Sequence, residues 1–115
     1  MAQKVFRLRP DQIREVAPGR GSCIASDDIT VGGKPVGYMY RETPDNDIDS
    51  GWRFFSGHES QAFADDASNF ELCDVNTIVN YDRDIVAFLD SPPGSAFERT
   101  AGGAFAPVQS PVETD

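Results

Sequence analysis

The sequence predicts an α+β domain in which a small antiparallel sheet is packed by two or three short helices. Residues 22–31 and 35–41 flank Gly32-Gly33, a dipeptide that suits the type I′ turn of a β-hairpin. Residues 51–56 have the pattern of a third strand, and the period of the sequence changes to a helical one further on. At 115 residues, the chain can build one core but not two.

The three predicted strands follow one another along the chain, so the simplest arrangement is an antiparallel meander. In the third strand, Trp52 and Phe54 share one face, while Arg53 and Phe55 share the other. A fourth, C-terminal strand is expected at residues 95–100, after the turn at residues 90–94. We therefore expect a three-strand meander with a C-terminal strand added to it.

Short helices are predicted between these strands. Ser56 and Glu59 have the spacing of a capping box, which predicts a helix over residues 58–65. Asp74 can cap a second helix, in which Val75, Ile78 and Val79 form an i, i+3, i+4 stripe. The same spacing recurs in a short apolar run further on, at Ile85, Phe88 and Leu89, which suits a helix or a strand.

Three parts are expected along the chain. Residues 1–20 form an N-terminal appendage with a short strand at 4–8 and a short helix that Pro10 begins. Residues 21–100 form a single α+β domain. Residues 101–115 are rich in Gly, Ala, Pro and Ser, and this composition predicts a flexible tail.

The net charge is −9, and it is unevenly distributed. Residues 1–20 hold five basic and two acidic side chains, whereas residues 21–99 hold five basic and fifteen acidic ones. An acidic body of this kind repels nucleic acid and attracts basic proteins, although the same charge also favours solubility. We therefore expect a protein partner and no nucleic-acid partner.

The location of the protein is predicted from its hydrophobic pattern. No apolar run approaches the ~18 residues of a membrane-spanning helix, and charges interrupt the first residues before an apolar signal region could form. A cytoplasmic protein without a membrane partner is therefore expected. Cys23 and Cys73 are too few for a disulfide framework and are expected to be reduced, with a bridge between them as the alternative.

Catalytic and metal-binding patterns are weak. His58 is the only imidazole, and the sequence contains no C-x-x-C pair, no nucleophile elbow and no phosphate-binding loop. Asp45, Asp47 and Asp49 alternate like the opening of a calcium loop, but serines stand where that loop needs its glycine and its last glutamate. A solvated acidic loop is favoured, so we expect no catalytic residue, no cofactor and no metal.

Candidate binding and structural residues follow from charge and aromatic content. The aromatic residues of the predicted sheet are expected to lie mostly in the core, with a tryptophan or tyrosine at the rim as a binding anchor. The residues predicted to bind a partner are Asp45, Asp47, Asp49, Trp52 and Asp90. The residues predicted to form structural ion pairs at strand ends, with Asp49 and Asp90 as acceptors, are Arg41, Glu42, Arg53, Glu98 and Arg99.

Several strings of this sequence carry a family resemblance. They are GYMYRETPDN at residues 37–46, DSGWRFFSG at 49–57 and the stretch 80–99, which contains LDSPPGSAFER, together with the opening CIAS at 23–26. Over residues 22–99 the chain resembles a family of small bacterial domains, formerly of unknown function, that is classed among the immunity proteins of polymorphic-toxin systems. The resemblance brings no catalytic or binding residues with it.

Membership of such a family implies a protein that binds a toxin domain and covers it, without catalysis of its own. An acidic surface would compete with phosphate for the Arg and Lys residues of a basic toxin. We therefore expect a monomeric, toxin-neutralising protein. The alternative is a general intracellular binding or regulatory module that has the same fold and no toxin partner.

Overall fold

A six-stranded sheet organises the chain in the computed structural model, which describes residues 4–111. The strands are β1 Ser22–Ser26, β2 Tyr38–Arg41, β3 Asp49–Phe55, β4 Phe70–Asp74, β5 Ala96–Arg99 and β6 Phe105–Pro107. They lie in the order β4-β1-β3-β2-β5-β6, and β1 and β3 run parallel while the other neighbouring pairs are antiparallel. The predicted α+β class is confirmed.

The helices are short, and the longest α-helix is the one that the sequence predicts after Asp74. The Asp74 side chain accepts a hydrogen bond from the backbone N–H of Asn76, and the predicted stripe of Val75, Ile78 and Val79 is fully buried. The α-helices are α1 Asp27–Thr30, α2 Gln61–Ala64 and α3 Val75–Tyr81, and 3-10 helices span Pro10–Gln12, Ala67–Asn69 and Arg83–Phe88.

The predicted hairpin around Gly32-Gly33 is wrong. Strand β1 ends at Ser26, whose hydroxyl caps α1 by accepting a hydrogen bond from the N–H of Asp28. Gly33, at φ +77°, lies just past the end of that helix and donates its N–H to the carbonyl of Ile29. A glycine with positive φ suits a helix C-terminus as well as a hairpin turn, so the dipeptide alone does not distinguish the two.

The predicted meander is also wrong, although part of it holds. Strands β2 and β3 are antiparallel neighbours as expected, and β5 falls within the predicted C-terminal strand. However, β1 lies beside β3 rather than β2. The connection from β1 to β2, which contains α1, spans the position in the sheet that β3 occupies. Strands β4 and β6 were not predicted, and β6 lies within residues 101–115, where a flexible tail was expected. Residues 112–115 of that tail lie outside the described residues.

The N-terminal segment contacts the domain through separate hydrogen bonds and ion pairs rather than as a strand. Residues 4–8 are not in a strand, and the predicted helix at Pro10 is a single 3-10 turn. Lys4 Nζ lies 3.0 Å from an Asp27 carboxylate oxygen and 2.9 Å from one of Glu71. Further along, Asn76 on α3 accepts hydrogen bonds from two backbone N–H groups, at residues 16 and 17. Residues 1–3 of the predicted appendage lie outside the described residues.

The helix predicted at residues 58–65 is shorter than expected. Glu59 does accept a hydrogen bond from the Ser56 N–H, at 2.7 Å, as a capping box would require. The helix nevertheless begins only at Gln61, since Ser60 is its N-cap and accepts from the N–H of Phe63. The two side chains of the predicted box therefore close a turn before α2.

One face of the sheet, which we call the inner face, carries the core. Its side chains are fully or almost fully buried, and α3 and the 3-10 helix Arg83–Phe88 supply the side chains that cover it. The buried inner-face residues are Cys23, Ala25, Met39, Trp52 and Phe54. Within residues 4–111, no helix has both the length and the apolar composition that crossing a membrane would require.

Candidate partner-binding face

The opposite side of the sheet, which we call the outer face, carries the alternate residues of the same strands. Tyr38 lies opposite both Phe55 and Glu98 in the strand register, and Tyr40 lies opposite Arg53. Because directly opposite residues point to the same side of a sheet, these side chains share one surface. The face extends over β1 and β4 through Ile24, Phe70 and Leu72.

Five aromatic rings on this side form a continuous cluster, which we call the aromatic patch. The Tyr38, Tyr40 and Phe55 centroids are mutually within 5.9 Å, and Phe55 contacts Phe70 edge-on at 5.7 Å. Phe63 of α2 extends the cluster, 6.0 Å from Phe70. All five side chains are half-buried and lie outside the buried core. The patch therefore keeps apolar surface that residues 4–111 leave partly uncovered.

The two tyrosines of the patch leave their hydroxyls unused. Among residues 4–111, no group accepts or donates a hydrogen bond to either hydroxyl. Burial, and then the charge of Glu98, raises the pKa of Tyr38, while burial and Glu42 raise the pKa of Tyr40. Both hydroxyls are therefore protonated at neutral pH and can donate to a partner.

Beside the aromatic patch, Arg53 holds two carboxylates of the segment 42–49, which we call the acidic loop. The Arg53 side chain is 5% exposed, and its Nη1 and Nη2 each lie 3.0 Å from an oxygen of Asp49, which is itself buried. Its Nε donates to Glu42. The hydrogen bonds from Arg53 hold the pKa of Asp49 well below its usual range. For Arg53, burial alone would lower the pKa, but the hydrogen bonds to Asp49 and Glu42 outweigh burial and raise it.

The backbone of the acidic loop is fixed by its own side chains. Asn46 accepts hydrogen bonds from the N–H groups of Ile48 and Asp49, both at 2.9 Å. Gly51 has φ +88°, and a Cβ there would meet the Glu42 carbonyl oxygen at 2.2 Å, so only glycine fits. The loop therefore projects Asp45, Asp47 and Ile48 into solvent from a defined conformation, with Ile48 72% exposed.

The structure separates the five residues that the sequence assigns to partner binding. Asp45 and Asp47 are exposed on the acidic loop, whereas the side chain of Asp49 is only 8% exposed and lies against Arg53. Trp52 is 1% exposed and donates its Nε1 hydrogen to the Leu89 carbonyl, so it has no surface to offer a partner and the expectation for it does not hold. Asp90 is exposed, pairs with Arg20 at 2.6 Å, and lines a cavity together with Trp52 and Leu89.

Of the residues that the sequence assigns to structural ion pairs, some form such pairs in the structure and others have different contacts. Arg53 pairs with Glu42 and Asp49, and Arg99 pairs with Asp82 and Asp84. Arg41 instead donates to the backbone carbonyls of residues 50 and 91. Glu98 is exposed and has no ion pair among the described residues 4–111. Its predicted structural role is therefore not seen, and its carboxylate is left for another partner.

Sequence reasoning missed the part of the outer face that β4 contributes. The strand carries Phe70 and Leu72 to this face, and Leu72 is 72% exposed. The signal was present, because Phe70, Leu72 and Asp74 alternate with Glu71 and Cys73 at the period of a strand. The Asp74 cap, in contrast, predicts only the helix that follows it and says nothing of the strand before it.

Neither the acidic residues nor the cysteines form a metal site in the described chain. Within residues 4–111, no group of three or more His, Cys, Asp or Glu side chains is arranged to hold a metal ion. The guanidinium of Arg53 lies where a cation would lie between the carboxylates of the acidic loop. Cys23 and Cys73 face each other across β1 and β4 as free thiols, and burial raises the pKa of Cys73 to about 11.

A half-exposed aromatic outer face beside a covered inner face is the kind of surface that protein partners cover. Comparison with protein families is more specific. Residues 23–109 match the family described as Immunity protein Imm33 domain, and this is well over half of the chain, so the chain belongs to that family. The match confirms the resemblance drawn from the sequence strings and extends past residue 100. No curated protein and no solved structure matches the chain.

Proposed function

We propose that this chain is a non-catalytic immunity protein that neutralises a basic toxin domain by binding it through the acidic loop and the adjoining outer face. It does so as a monomer in the cytoplasm. Membership of the immunity protein family supports the general role. The observation that carries the toxin's basic character is the acidic loop, in which Asp45 and Asp47 stand exposed and in a fixed conformation.

The charge of the loop favours a basic partner. Asp45, Asp47, Glu42 and Asp49 lie in one short segment. Among residues 4–111 the cation that pairs with them is Arg53, and its single charge neutralises only part of theirs. Toxins that act on nucleic acids present Arg and Lys side chains to phosphate groups. A carboxylate surface can bind those same side chains, and opposite charge accelerates the encounter. Covering the toxin's basic site is sufficient for protection, so no chemical step is required of this chain.

The rigidity of the loop strengthens this interpretation. Binding by a mobile loop would lose conformational entropy, whereas a loop that is already ordered loses little. Here Asp49 accepts the N–H groups of Asp45 and Gly51, and Asn46 accepts two more. The exposed carboxylates of Asp45 and Asp47 and the exposed Ile48 are therefore set in place before the partner arrives.

The proposal is tested with the toxin domain that the tagged chain captures from its native cells, identified by mass spectrometry and purified in a catalytically inactive form. The double variant Asp45→Lys/Asp47→Lys should bind that domain at least 10-fold more weakly by calorimetry and should fail to protect a host that expresses the active toxin. Reversed charges repel basic side chains, and neither residue is buried. Wild-type affinity should also fall as salt rises from 50 to 500 mM.

The matched control is Asp11→Lys/Glu15→Lys, which makes the same charge change on an exposed segment. That segment contacts α3, on the inner side of the sheet. This control should bind within twofold of wild type. Equal losses for both double variants, or none for the first, would contradict a role for the acidic loop. A chain that protects against no toxin yet binds several other cellular proteins would instead be the general binding module.

A further inference from the structure

The outer face has a second feature that the acidic loop does not use. Glu98 on β5 lies directly opposite Tyr38 on β2, so its carboxylate stands at the edge of the aromatic patch. It is exposed and has no ion pair among residues 4–111. A free carboxylate therefore borders half-exposed rings whose hydroxyls are also unpaired.

We propose that Glu98 and the aromatic patch form a binding site for an arginine side chain of the partner. The guanidinium would lie over the Tyr38 and Phe55 rings and pair with the Glu98 carboxylate, with the Tyr40 hydroxyl within reach of the same partner. This inference rests on the proposed function, since it names the chemistry that the same face recognises in a basic toxin.

The chain itself contains this arrangement elsewhere. The guanidinium carbon of Arg99 lies 4.3 Å from the centroid of the Phe105 ring, while Arg99 pairs with Asp82 and Asp84. Arg41 likewise lies 5.8 Å from the Trp52 centroid. An arginine that rests on a ring and reaches a carboxylate is therefore a geometry that this fold already accommodates. On the outer face, the ring and the carboxylate are present and the arginine has to come from outside.

Charge decides between the occupants that an aromatic surface could accept. A second copy of the chain would bring its own net charge of −9, and two acidic faces repel each other. Phosphate groups of nucleic acids or of anionic lipids are repelled for the same reason. A cationic protein partner is the one whose charge complements Glu42, Glu98 and the acidic loop.

Arginine fits this surface better than lysine does. Its planar guanidinium can stack on an aromatic face while its N–H groups remain free to form paired hydrogen bonds with a carboxylate. The ammonium group of lysine is a compact, strongly hydrated charge, so it cannot stack on a ring and form paired hydrogen bonds with a carboxylate at the same time. The patch supplies a face made of several adjacent rings, and Glu98 supplies one carboxylate at its edge.

The probe for this site is a short acetylated peptide of alternating Arg and Gly, compared with the same peptide carrying citrulline, the neutral isostere of arginine. We expect the Arg peptide to shift the NMR signals of Tyr38, Tyr40, Phe55 and Glu98 in a saturable way. The citrulline peptide should bind at least 10-fold more weakly. Glu98→Gln should weaken binding of the Arg peptide at least fivefold, while the exposed control Glu15→Gln should leave it unchanged. Equal shifts with citrulline, or shifts confined to the acidic loop, would overturn the proposal.

Measuring how variants of this chain bind the toxin domain distinguishes this inference from the proposed function. If Glu98→Gln and Tyr38→Ala, each confirmed as folded by its NMR spectrum, bind the toxin like wild type while Asp45→Lys/Asp47→Lys does not, the arginine site is wrong and the immunity role stands. If the Arg peptide docks on the patch but the chain protects against no toxin, the immunity role is wrong and the arginine site stands. At least a fivefold loss of toxin affinity in Glu98→Gln is the result expected.

Discussion

The two faces of the sheet use aromatic residues of the same strand in opposite ways. On β3, Trp52 and Phe54 point to the inner face and are 1% and 0% exposed, whereas Phe55 points to the outer face and is half-exposed. The inner rings stack on each other with centroids 5.9 Å apart beneath the helices. The outer rings contact mainly one another and have polar neighbours. Adjacent positions of one strand thus divide between the core and the half-exposed face that we propose as the partner-binding surface.

Energy explains why the two faces differ. Each buried ring on the inner face removes apolar surface from water, at roughly 25 cal/mol per Å², and this favours folding. The rings of the aromatic patch leave part of that surface in water, so part of the favourable energy becomes available only when a partner covers them. Truncating an aromatic side chain of the outer face should therefore change the free energy of unfolding little and the affinity for a partner strongly.

The largest contrast is expected between two neighbouring phenylalanines. Phe54→Ala should lower the free energy of unfolding by about 3 to 5 kcal/mol, because it leaves a cavity in the core. Phe55→Ala should lower it by only about 1 kcal/mol, since its ring is half in water already. Urea unfolding monitored by circular dichroism measures both. Similar losses for the two variants would mean that the outer face is part of the core.

The next effect concerns the charged part of the outer face, where Asp49 is buried with Arg53. Asp49→Asn should cost about 2 to 3 kcal/mol at pH 7, because it removes a charged acceptor of paired hydrogen bonds. The folded-state pKa of Asp49 is depressed, so its contribution is complete above the unfolded-state value of about 4 and declines as pH falls below it.

The stability difference between wild type and Asp49→Asn should accordingly shrink as pH falls below about 4. Thermal unfolding of both proteins between pH 2 and 7 measures it. Asp47→Asn is the control, since Asp47 is exposed on the same loop, and it should follow wild type at every pH. A difference that is constant with pH would show that the Asp49 charge is not what stabilises the loop.

The smallest effect is expected at a tyrosine hydroxyl. Tyr40→Phe should change the free energy of unfolding by less than about 0.5 kcal/mol, because the hydroxyl has no hydrogen-bond partner among the described residues and only water is lost. Tyr81→Phe is the contrasting variant, since the Tyr81 hydroxyl accepts from the Leu8 N–H and donates to the Thr30 carbonyl, and it should cost about 1 kcal/mol. Chemical denaturation measures both. A larger cost at Tyr40 than at Tyr81 would assign the Tyr40 hydroxyl a structural role.

Local patterns predicted the parts of the fold that depend on neighbouring residues. The cap at Asp74 and the stripe of α3 are as expected, and so is the alternation that places Trp52 and Phe55 on opposite faces. The pairing of β1 with β3 was not predictable in this way, because it joins residues far apart in sequence and depends on where α1 turns the chain. The candidate site follows the same division, since the sequence proposes Asp49 both for partner binding and as an ion-pair acceptor, and only the tertiary packing against Arg53 places its side chain at 8% exposure.

Sequence patterns are enough to predict an acidic α+β domain, a capped helix after Asp74 and the two-sided pattern of β3, and the sequence strings indicate the immunity protein family. The folded arrangement of the elements is what places Trp52 in the core and Phe55 at the surface, because it sets which side of β3 is covered. Periodicity tells which residues share a face but not which face the helices cover. That choice is made by long-range packing, here by α3 and the 3-10 helix after it lying on one side of six strands.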